Sequence, residues 1–491
     1  MVEVLTKYLK DAFERDIQKR AKVSAYRGGY LPNERRRTER ELRDDSLDCV
    51  VTTSALELGV DIGSLDVCIL NGYPGSIAAT WQRLGRAGRR GRAALGVMVA
   101  SSDALDQYLV RNPDYFRAAA VEHGRIAPDQ LLILMEHLRC AAFELPFRHG
   151  EVFGPGPVDE YLAYLAEEGV LHLEADRWHW MADSYPANSV SLRSVADGNF
   201  LVIDSTGQRK EVIAEVDYSA AAMTLYEGAI YLVQAQPYQV ERLDWTGRKA
   251  FVTTTRVDYY TDAIDYTRLR ILEAFSTEAQ GSALCARGEV HLIRRVPGYK
   301  KIKYYTHENV GYGNINLPDH EMHTSSLWWQ IDPVALDQTF ERRAQALDGF
   351  LGAAHALHLV AALLSMAERQ DLGRAVGDGN GEWFATVGSD SRGSARRADG
   401  ARFDPDTSGD DFVPTVFLYD NFPGGAGLSE PLAGLAAEVV QGAWQLVVDC
   451  PCGQGCPACV GPILAAEETG RASPKTAAIR VLELLGARAW T

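Results

Sequence analysis

The sequence lacks long hydrophobic runs. None of its apolar segments reaches the roughly 18 consecutive residues that a membrane-spanning helix needs. Residues 1–16, MVEVLTKYLKDAFERD, form a charged amphipathic pattern without the apolar centre of a signal peptide. These absences argue against membrane-anchored and secreted proteins, so we expect a cytoplasmic protein with no membrane partner.

Two features of nucleoside triphosphatases are also missing. The 491 residues contain no Gly-Lys dipeptide, which a phosphate-binding loop of the Walker type requires. The one Asp-Glu pair, Asp159–Glu160, follows Gly-Pro-Gly-Pro-Val rather than a buried strand, so it is not an acidic pair that holds Mg²⁺. The chain by itself is therefore not expected to hydrolyse a nucleoside triphosphate.

An overall excess of positive charge is absent as well. Lys and Arg number 50 against 66 Asp and Glu, which gives a formal net charge of −16. Contacts with phosphates depend on local patches rather than on the total. Residues 81–125 carry eight Arg against four acidic residues, and residues 291–305 carry five Lys and Arg and no acid. The net charge therefore neither supports nor excludes a nucleic-acid partner.

Cysteine is scarce outside one short segment. Four of the eight cysteines crowd into residues 450–459, with the sequence CPCGQGCPAC. In a cytosolic protein this crowding favours a metal site over disulfides, because thiolates around Gly and Pro turns can converge tetrahedrally on Zn²⁺. The alternatives are a redox-active Cys-Pro-x-Cys pair and a site with one ligand from elsewhere. The predicted zinc ligands are Cys450, Cys452, Cys456 and Cys459.

The predicted elements divide the chain into four modules. Residues 1–108 alternate helices with apolar strands, which predicts an α/β domain whose parallel sheet is covered on both faces. Residues 109–185 contain helices and then a hairpin, as in a winged helix; a helical linker with one hairpin is the alternative. Residues 186–270 contain short alternating segments, typical of a small antiparallel β module. Residues 271–491 predict an α+β domain with the cysteine cluster.

Three segments of the last module have predictions of their own. Residues 334–369 predict one helix. Residues 373–411 are rich in Gly, Asp and Ser and predict a flexible loop. YDNFPGGAG at 419–427 predicts a strand and then a structural turn, because it lacks the partner residues of a phosphate loop.

An arginine-rich motif, QRLGRAGRRGR, occupies residues 82–92 and precedes a predicted strand. Arg86 and Arg89 are three residues apart, so on a helix they project from one face. A guanidinium stays charged and can stabilise the charge that develops on a γ-phosphate during cleavage. A solvated basic helix is the alternative for this segment alone.

A second motif, TTSALELGVDIG, occupies residues 52–63 directly after a predicted strand. Thr53 is placed where its hydroxyl and nearby backbone N–H groups can hold a nucleic-acid phosphate. Gly59 and Asp61 occupy the following turn, where a carboxylate can reach a ribose or a metal-bound water. Alone, this segment is also consistent with an ordinary strand-to-helix turn.

In this order and spacing, the two motifs resemble motifs V and VI of the second RecA-like domain of superfamily-two helicases. AYRGGYLPNERRRTERELR, YDNFPGGAGLSE and CPCGQGCPACVGP extend the similarity to the MrfA-type DNA repair helicases, which have a C-terminal zinc-binding domain. The resemblance covers nearly the whole chain. It implies that Arg86 and Arg89 are arginine fingers, that Gln82 belongs to their motif, and that Gly59 and Asp61 match nucleotide-side positions.

The resemblance also implies a fold and partners. We expect a RecA-like parallel-sheet domain, then winged-helix-like, small antiparallel β and zinc-binding α+β modules. ATP and Mg²⁺ bind only together with a first RecA-like domain, which a separate chain can carry, and the partner is single-stranded or tailed duplex DNA translocated 3′→5′. The alternatives are a non-catalytic DNA-binding scaffold and a truncated helicase gene product. The family often has further cysteines, whereas here Ala367 precedes ERQDLG and no cysteine follows Cys459.

A basic segment, IRRVPGYKKIKYYTHENVGYG, occupies residues 293–313. Basic residues interleaved with tyrosines can hold a nucleic-acid backbone and stack on bases; a hairpin with a basic edge and half-buried tyrosines is equally compatible. His307, Glu308 and His323 are interpreted as surface hydrogen-bonding groups rather than as a metal site. The predicted DNA contacts here are Arg294, Arg295, Lys300 and Lys301.

Overall fold

The computed structural model describes the chain except for residues 16–20, 58, 60–61, 63–64, 89–92, 119, 123–129, 155, 189, 191–197, 209, 388–392, 410–411, 463–472 and 489–491. The chain forms two compact units. Unit 1 comprises residues 1–122, 198–267 and 293–320, and unit 2 comprises residues 123–197, 268–292 and 321–491. The four module boundaries remain predictions.

The first 122 residues alternate helices with parallel strands, as the sequence predicts. The elements are α1 (Val2–Arg15), β1 (Val23–Tyr26), α2 (Pro32–Arg43), β2 (Cys49–Thr52), β3 (Val67–Asn71), α3 (Ile77–Leu84), β4 (Leu95–Val99), α4 (Ala104–Arg111) and α5 (Pro113–Ala118). β1 pairs with β2 and β3 with β4, both in parallel. The described strands form two separate pairs, so a single RecA-like sheet is not shown.

The β3–β4 pair exposes apolar side chains. Ile69 is 65% exposed, Leu95 57%, Val99 51% and Val67 47%. The prediction that this sheet is covered on both faces therefore does not hold for the described residues. The prediction followed from the nearly continuous apolar sequence of these strands, which is typical of parallel strands buried on both faces.

The chain then forms a helix-and-hairpin segment in unit 2. Its elements are α6 (Leu131–Glu144), β5 (Phe147–Arg148), β6 (Val152–Phe153), β7 (Gly156–Pro157), α7 (Asp159–Glu167), β8 (Leu171–Glu174) and β9 (Arg177–Trp180). β8 and β9 form the predicted hairpin, and Ala175 in its turn has a φ of 57°. Leu138, Leu162 and Leu165 are completely buried between the helices and the hairpin.

A five-stranded sheet follows in unit 1. Its elements are β10 (Asn199–Asp204), β11 (Glu211–Asp217), α8 (Tyr218–Thr224), β12 (Ile230–Val233), β13 (Gln236–Asp244) and β14 (Lys249–Thr254), in the order β11-β10-β14-β13-β12. The prediction of a wholly antiparallel module is wrong at one pairing, because β14 runs parallel to β10. The core of the sheet contains Phe200, Val202 and Val252.

The rest of the chain builds a nine-stranded sheet and its covering helices. The elements are β15 (Tyr259–Gln280), β16 (Ala283–Lys303), β17 (Asn309–Asn314), β18 (His320–Ile331), α9 (Pro333–Thr339), α10 (Arg343–Ser365), β19 (Leu372–Gly377), β20 (Trp383–Val387), β21 (Gly393–Arg397), β22 (Arg402–Phe403), β23 (Thr415–Asp420), α11 (Ser429–Ala433), α12 (Ala436–Asp449) and α13 (Pro474–Leu484). The strand order is β15-β16-β18-β23-β19-β20-β21-β22, with β17 paired to β16. Residues of β15 and β16 fall in both units.

Two predictions for this region are wrong. The described part of residues 373–411 contains most of β19 and all of β20 to β22 rather than one flexible loop, and Gly379 and Asp399 lie in turns between these short strands. The rings of Trp383, Phe403 and Phe412 stack at centroid distances of 5.0 to 6.3 Å and bury this segment. The single helix predicted over 334–369 is two helices, because Phe340 between α9 and α10 is extended.

α10 is the central helix of unit 2. Phe350 and Leu357 are completely buried on it, and it packs against α12, α13 and β19. By length and composition α10 could cross a membrane, but 78% of its apolar window is buried inside the protein. A buried core helix has the same length and apolar composition as a membrane-spanning one, so these two properties do not distinguish them.

Candidate functional site

The motif TTSALELGVDIG at residues 52–63 begins at the end of β2 and includes the turn that follows it. Thr53 is exposed, and its hydroxyl accepts a hydrogen bond of 3.3 Å from the Ala55 N–H at the start of the 3₁₀ helix Ser54–Leu56. Gly59 is exposed and has a φ of 75°, a conformation that favours glycine. An added Cβ there would contact nothing within 4 Å. Both residues therefore lie at the surface, and Asp61 lies outside the described residues.

The arginine-rich motif at residues 82–92 begins on α3. Ser76 caps this helix by accepting a hydrogen bond of 3.1 Å from the Ala79 N–H. Gln82 lies exposed on the last turn. The prediction that Arg86 projects from a helix face is wrong, because α3 ends at Leu84 and Arg86 lies in the turn that follows. Arg89 lies outside the described residues.

Glu57 connects the two motifs. Its carboxylate forms an ion pair of 2.8 Å with the Arg83 Nε, and the Arg86 guanidinium donates to its backbone carbonyl. The side chains of Arg83 and Glu57 are 26% and 12% exposed, so this pair is largely shielded from water. Glu57 thus holds the arginine motif against the segment that contains Thr53 and Gly59.

Backbone contacts reinforce this junction. The Gly88 N–H donates to the Leu65 carbonyl at 3.0 Å, and Leu65 forms a parallel bridge with Ala87. Sequence reasoning missed Glu57 and Arg83, although both lie within or beside the quoted motifs. Their opposite charges gave a signal, but a separation of 26 residues hid the pairing.

The basic residues of β16 have acidic or aromatic neighbours. Arg295 forms two hydrogen bonds of 2.8 and 2.7 Å with the Asp319 carboxylate, and Arg294 lies 3.6 Å from that of Asp265. The Lys301 ammonium lies 5.3 Å from the centre of the Tyr259 ring. The roles of these residues, and of half-buried Lys300, in DNA binding stay predictions.

The tyrosines of this segment are mostly buried. Tyr299 and Tyr304 are 8% and 4% exposed, so their rings are not available to bases. Tyr305 is 51% exposed and stacks on Tyr8 with ring centres 4.5 Å apart. The geometry therefore favours the hairpin interpretation for Tyr299 and Tyr304. His323 pairs with Glu289 at 3.2 Å, in keeping with a surface role.

The cysteine cluster forms at the end of α12. The four sulfur atoms all lie within 4.8 Å of one another, with separations of 3.5 Å for Cys450–Cys456, 3.5 Å for Cys452–Cys459 and 3.7 Å for Cys456–Cys459. Sulfurs around a tetrahedral zinc with bonds of about 2.3 Å lie about 3.8 Å apart. All four donors that converge here are local, so this geometry needs no donor from elsewhere in the chain.

The chemistry of the four donors also fits zinc. An all-thiolate tetrahedral set is typical of Zn²⁺ and unsuited to Mg²⁺ or Ca²⁺. Burial raises the pKa of the Cys450 and Cys459 thiols. Burial acts in the same direction on Cys456, but hydrogen bonds with the Cys459 and Ala458 backbone and with the Cys450 and Cys459 side chains together outweigh it and lower that pKa. Because four sulfurs converge rather than two, a metal site fits better than a redox pair.

Comparison with protein families matches three parts of the chain. Residues 1–91 match the helicase conserved C-terminal domain, residues 126–195 the winged helix domain of the ATP-dependent helicase HRQ1, and residues 353–460 the MrfA Zn-binding domain. The second match supports the winged-helix interpretation over a helical linker. The third contains all four cysteines of the cluster.

Similarity to known proteins extends over nearly the whole chain. The ATP-dependent helicase YprA of Bacillus subtilis is 40% identical over 94% of this chain and 57% of its own length. A crystal structure of the DUF1998 helicase MrfA bound to DNA superposes with a TM-score of 0.68 at 38% identity and covers 99% of this chain. The chain belongs to the MrfA-type superfamily-two helicases. It spans 60% of the MrfA structure and 40% of the helicase HRQ1 of Saccharomyces cerevisiae, which is 28% identical.

The Glu57 junction and the cysteine cluster each lie within one of the family matches. Within the helicase-domain match, the Glu57 junction joins the segment of motif V to that of motif VI. Within the MrfA Zn-binding match, the thiolate cluster is the group of donors that converges among the described residues.

Proposed function

We propose that this chain is the part of an ATP-dependent DNA helicase that supplies arginine fingers and DNA contacts to a nucleotide site shared with a phosphate-binding RecA-like domain. The junction at Glu57 carries this proposal, because it fixes the arginine motif against the segment with Thr53 and Gly59. The absence of a Gly-Lys dipeptide in the 491 residues indicates that the phosphate-binding loop comes from another domain, on the same or a separate polypeptide.

Each site residue has a proposed role. Arg86 and Arg89 stabilise the charge that develops on the γ-phosphate, and Gln82 acts in the same motif. We assign nucleotide binding to Gly59 and Asp61, which match nucleotide-side positions of motif V. When bound, Mg²⁺ neutralises phosphate charge; its ligands come from the complementary domain.

DNA is the proposed partner. Two similar MrfA structures contain DNA, one of them together with AMPPNP. We assign a phosphate contact to the exposed hydroxyl and turn at Thr53, and further backbone contacts to Lys300 and Lys301 with Arg294 and Arg295. Translocation in the 3′→5′ direction and a role in DNA repair belong to this proposal. So does a cytoplasmic location, because a four-thiolate site needs reduced cysteines.

The geometry supplies a route for coupling. Thr53 and Gly59 lie on one short segment, and Glu57 between them binds both Arg83 and Arg86. A shift of Arg86 toward or away from a phosphate therefore moves the segment that holds DNA. By this route, closure of the two RecA-like domains around ATP would move the segment that contacts the DNA strand.

The experiment joins this chain to the portion of Bacillus subtilis YprA outside the matched segment and measures ATP hydrolysis with and without tailed DNA. We expect DNA-stimulated hydrolysis by the chimera and none above background by this chain alone. Arg86→Ala in the chimera should lower kcat by about 10³-fold with little change in KM, because arginine fingers act mainly in the transition state. Thr53→Ala should instead raise the DNA concentration that gives half-maximal stimulation.

Arg36→Ala is the matched control, since Arg36 is an exposed arginine on α2 of the same unit and should leave kcat unchanged. A chimera with Arg86→Ala that retains wild-type kcat would refute the arginine-finger role. Salt-dependent DNA binding without hydrolysis by the intact chimera would favour the non-catalytic scaffold instead.

A further inference from the structure

Lys475 reaches the backbone of the cysteine loop from the first turn of α13. Its ammonium donates to the carbonyl oxygens of Cys450 at 2.6 Å, Cys452 at 3.0 Å and Val448 at 3.4 Å. An ammonium has three N–H donors, so these three carbonyls use all of them. The Lys475 backbone N–H also donates to the Gln454 carbonyl at 3.0 Å.

The two cysteine pairs are supported in different ways. Cys456 and Cys459 close a turn of their own, in which the Cys456 carbonyl accepts from the N–H groups of Cys459 and Val460, both at 3.1 Å. His355 on α10 adds a contact of 3.2 Å between its Nε2 and the Ala458 carbonyl. For the tight Cys-x-Cys pair, the carbonyls of both ligands are bonded to the one ammonium of Lys475.

The positive charge of Lys475 lies beside a group that would be negatively charged when zinc is bound. A Zn²⁺ ion with four thiolates has a net charge of −2, and the carbonyl of Val448 lies near the negative end of the α12 dipole. A cation bonded directly to the ligand backbone lowers the electrostatic cost of gathering these groups. Groups just outside the ligand set typically change metal affinity by about 10- to 100-fold when removed.

We propose that Lys475 is the positioning residue of the zinc site: it fixes the Cys450–Cys452 segment in its ligating conformation and offsets the charge of the zinc thiolates. Residues in α13 thereby act on a metal site whose ligands all lie between residues 450 and 459. Both proposed effects of Lys475, on the loop conformation and on the charge, are independent of helicase activity.

The test measures zinc affinity of the full chain by competition with a chromogenic chelator and zinc content by mass spectrometry. Lys475→Met keeps the aliphatic stem but removes donors and charge, and should weaken zinc binding about 10- to 100-fold. Arg480→Met is the matched control, because Arg480 is an exposed basic residue on the same helix, and it should bind zinc as the wild type does.

Two further variants separate charge from hydrogen bonding. Lys475→Arg keeps the charge and should retain more affinity than Lys475→Gln, which keeps only neutral donors. Zinc affinity of Lys475→Met within twofold of wild type would overturn the proposal, as would an equal loss in Arg480→Met. If tryptophan fluorescence shows Lys475→Met to be unfolded, Lys475→Gln decides: a tenfold loss supports the role and wild-type affinity refutes it.

Discussion

Asp420 is a buried carboxylate at the start of the Gly-rich turn after β23. It is 0% exposed, and its Oδ2 accepts from the N–H groups of Ala426 at 2.7 Å and Leu428 at 3.0 Å, while its Oδ1 has no hydrogen-bond partner among the described residues. Burial raises the pKa of Asp420 to about 6, although backbone N–H groups of the turn act against it. Asp420 thus shapes the turn but is charged at an energetic cost.

This cost predicts a pH dependence. Because the folded pKa of about 6 exceeds the usual value of 3.8, the folded state binds the proton more tightly, and stability falls as pH rises from about 4 to about 6. Asp420→Asn removes this titration. Between pH 4 and pH 7 the free energy of unfolding of the wild type should therefore fall by about 2 kcal/mol more than that of Asp420→Asn.

Urea unfolding of unit 2, followed by tryptophan fluorescence, measures this difference, since Trp328, Trp329 and Trp383 are buried there. Asp399→Asn replaces an exposed aspartate of the same unit and serves as the control. Parallel pH profiles for the wild type and Asp420→Asn would show that Asp420 keeps an ordinary pKa.

At the scale of elements, local patterns in the sequence were a good guide and long-range pairing was not. The sequence of residues 109–185 predicts helices and then a hairpin, and β8 and β9 form that hairpin after α7. The parallel pairing of β10 with β14 depends on neighbours about 50 residues apart, which no local pattern encodes.

The candidate site shows the same division. The spacing of four cysteines within ten residues was enough to predict a metal centre, and the structure brings all four together. The Glu57–Arg83 pair and the reach of Lys475 depend on where separate elements meet. The strands in 373–411 were missed because turn residues dominate the composition there, while a few aromatic residues supply the burial.

The packing of α10 against α13 depends on a glycine. A Cβ at Gly349 would lie 2.6 Å from the Ala477 carbonyl oxygen, a rigid backbone atom, so Gly349→Ala must push the helices apart. This clash should lower the free energy of unfolding by about 1 to 3 kcal/mol. Replacing glycine by alanine within a helix raises it by roughly 1 kcal/mol, so we expect the variant to be less stable overall. Thermal and urea unfolding measure it.

Gly434→Ala is the control for this packing. Gly434 ends α11 with a φ of −65°, and an added Cβ would approach the Pro431 carbonyl oxygen no closer than 3.5 Å. This variant should be as stable as the wild type or slightly more so. Equal stability of Gly349→Ala and the wild type would mean that α10 and α13 can separate without cost.

Over the whole molecule, the two units have separate hydrophobic cores. The core of unit 2 includes Cys459 and Val460 together with side chains from α10, α12 and α13, and the other three cluster cysteines pack against it. The five-stranded sheet of unit 1 has its own core around Phe200 and Val252. The metal loop therefore belongs to the cooperative structure of unit 2.

Zinc removal should consequently loosen one part of the molecule and spare another. Hydrogen exchange of the zinc-loaded chain, before and after treatment with a chelator, should show lost protection in α12, α13 and residues 450–460, because ligand binding stabilises only the structure it contacts. Protection of β10 to β14 should remain. Cys452→Ser should resemble the chelated protein and respond no further to the chelator. An equal loss of protection in the five-stranded sheet would show that the two cores unfold as one, and unchanged exchange around Cys450 would show that the loop holds its fold without metal.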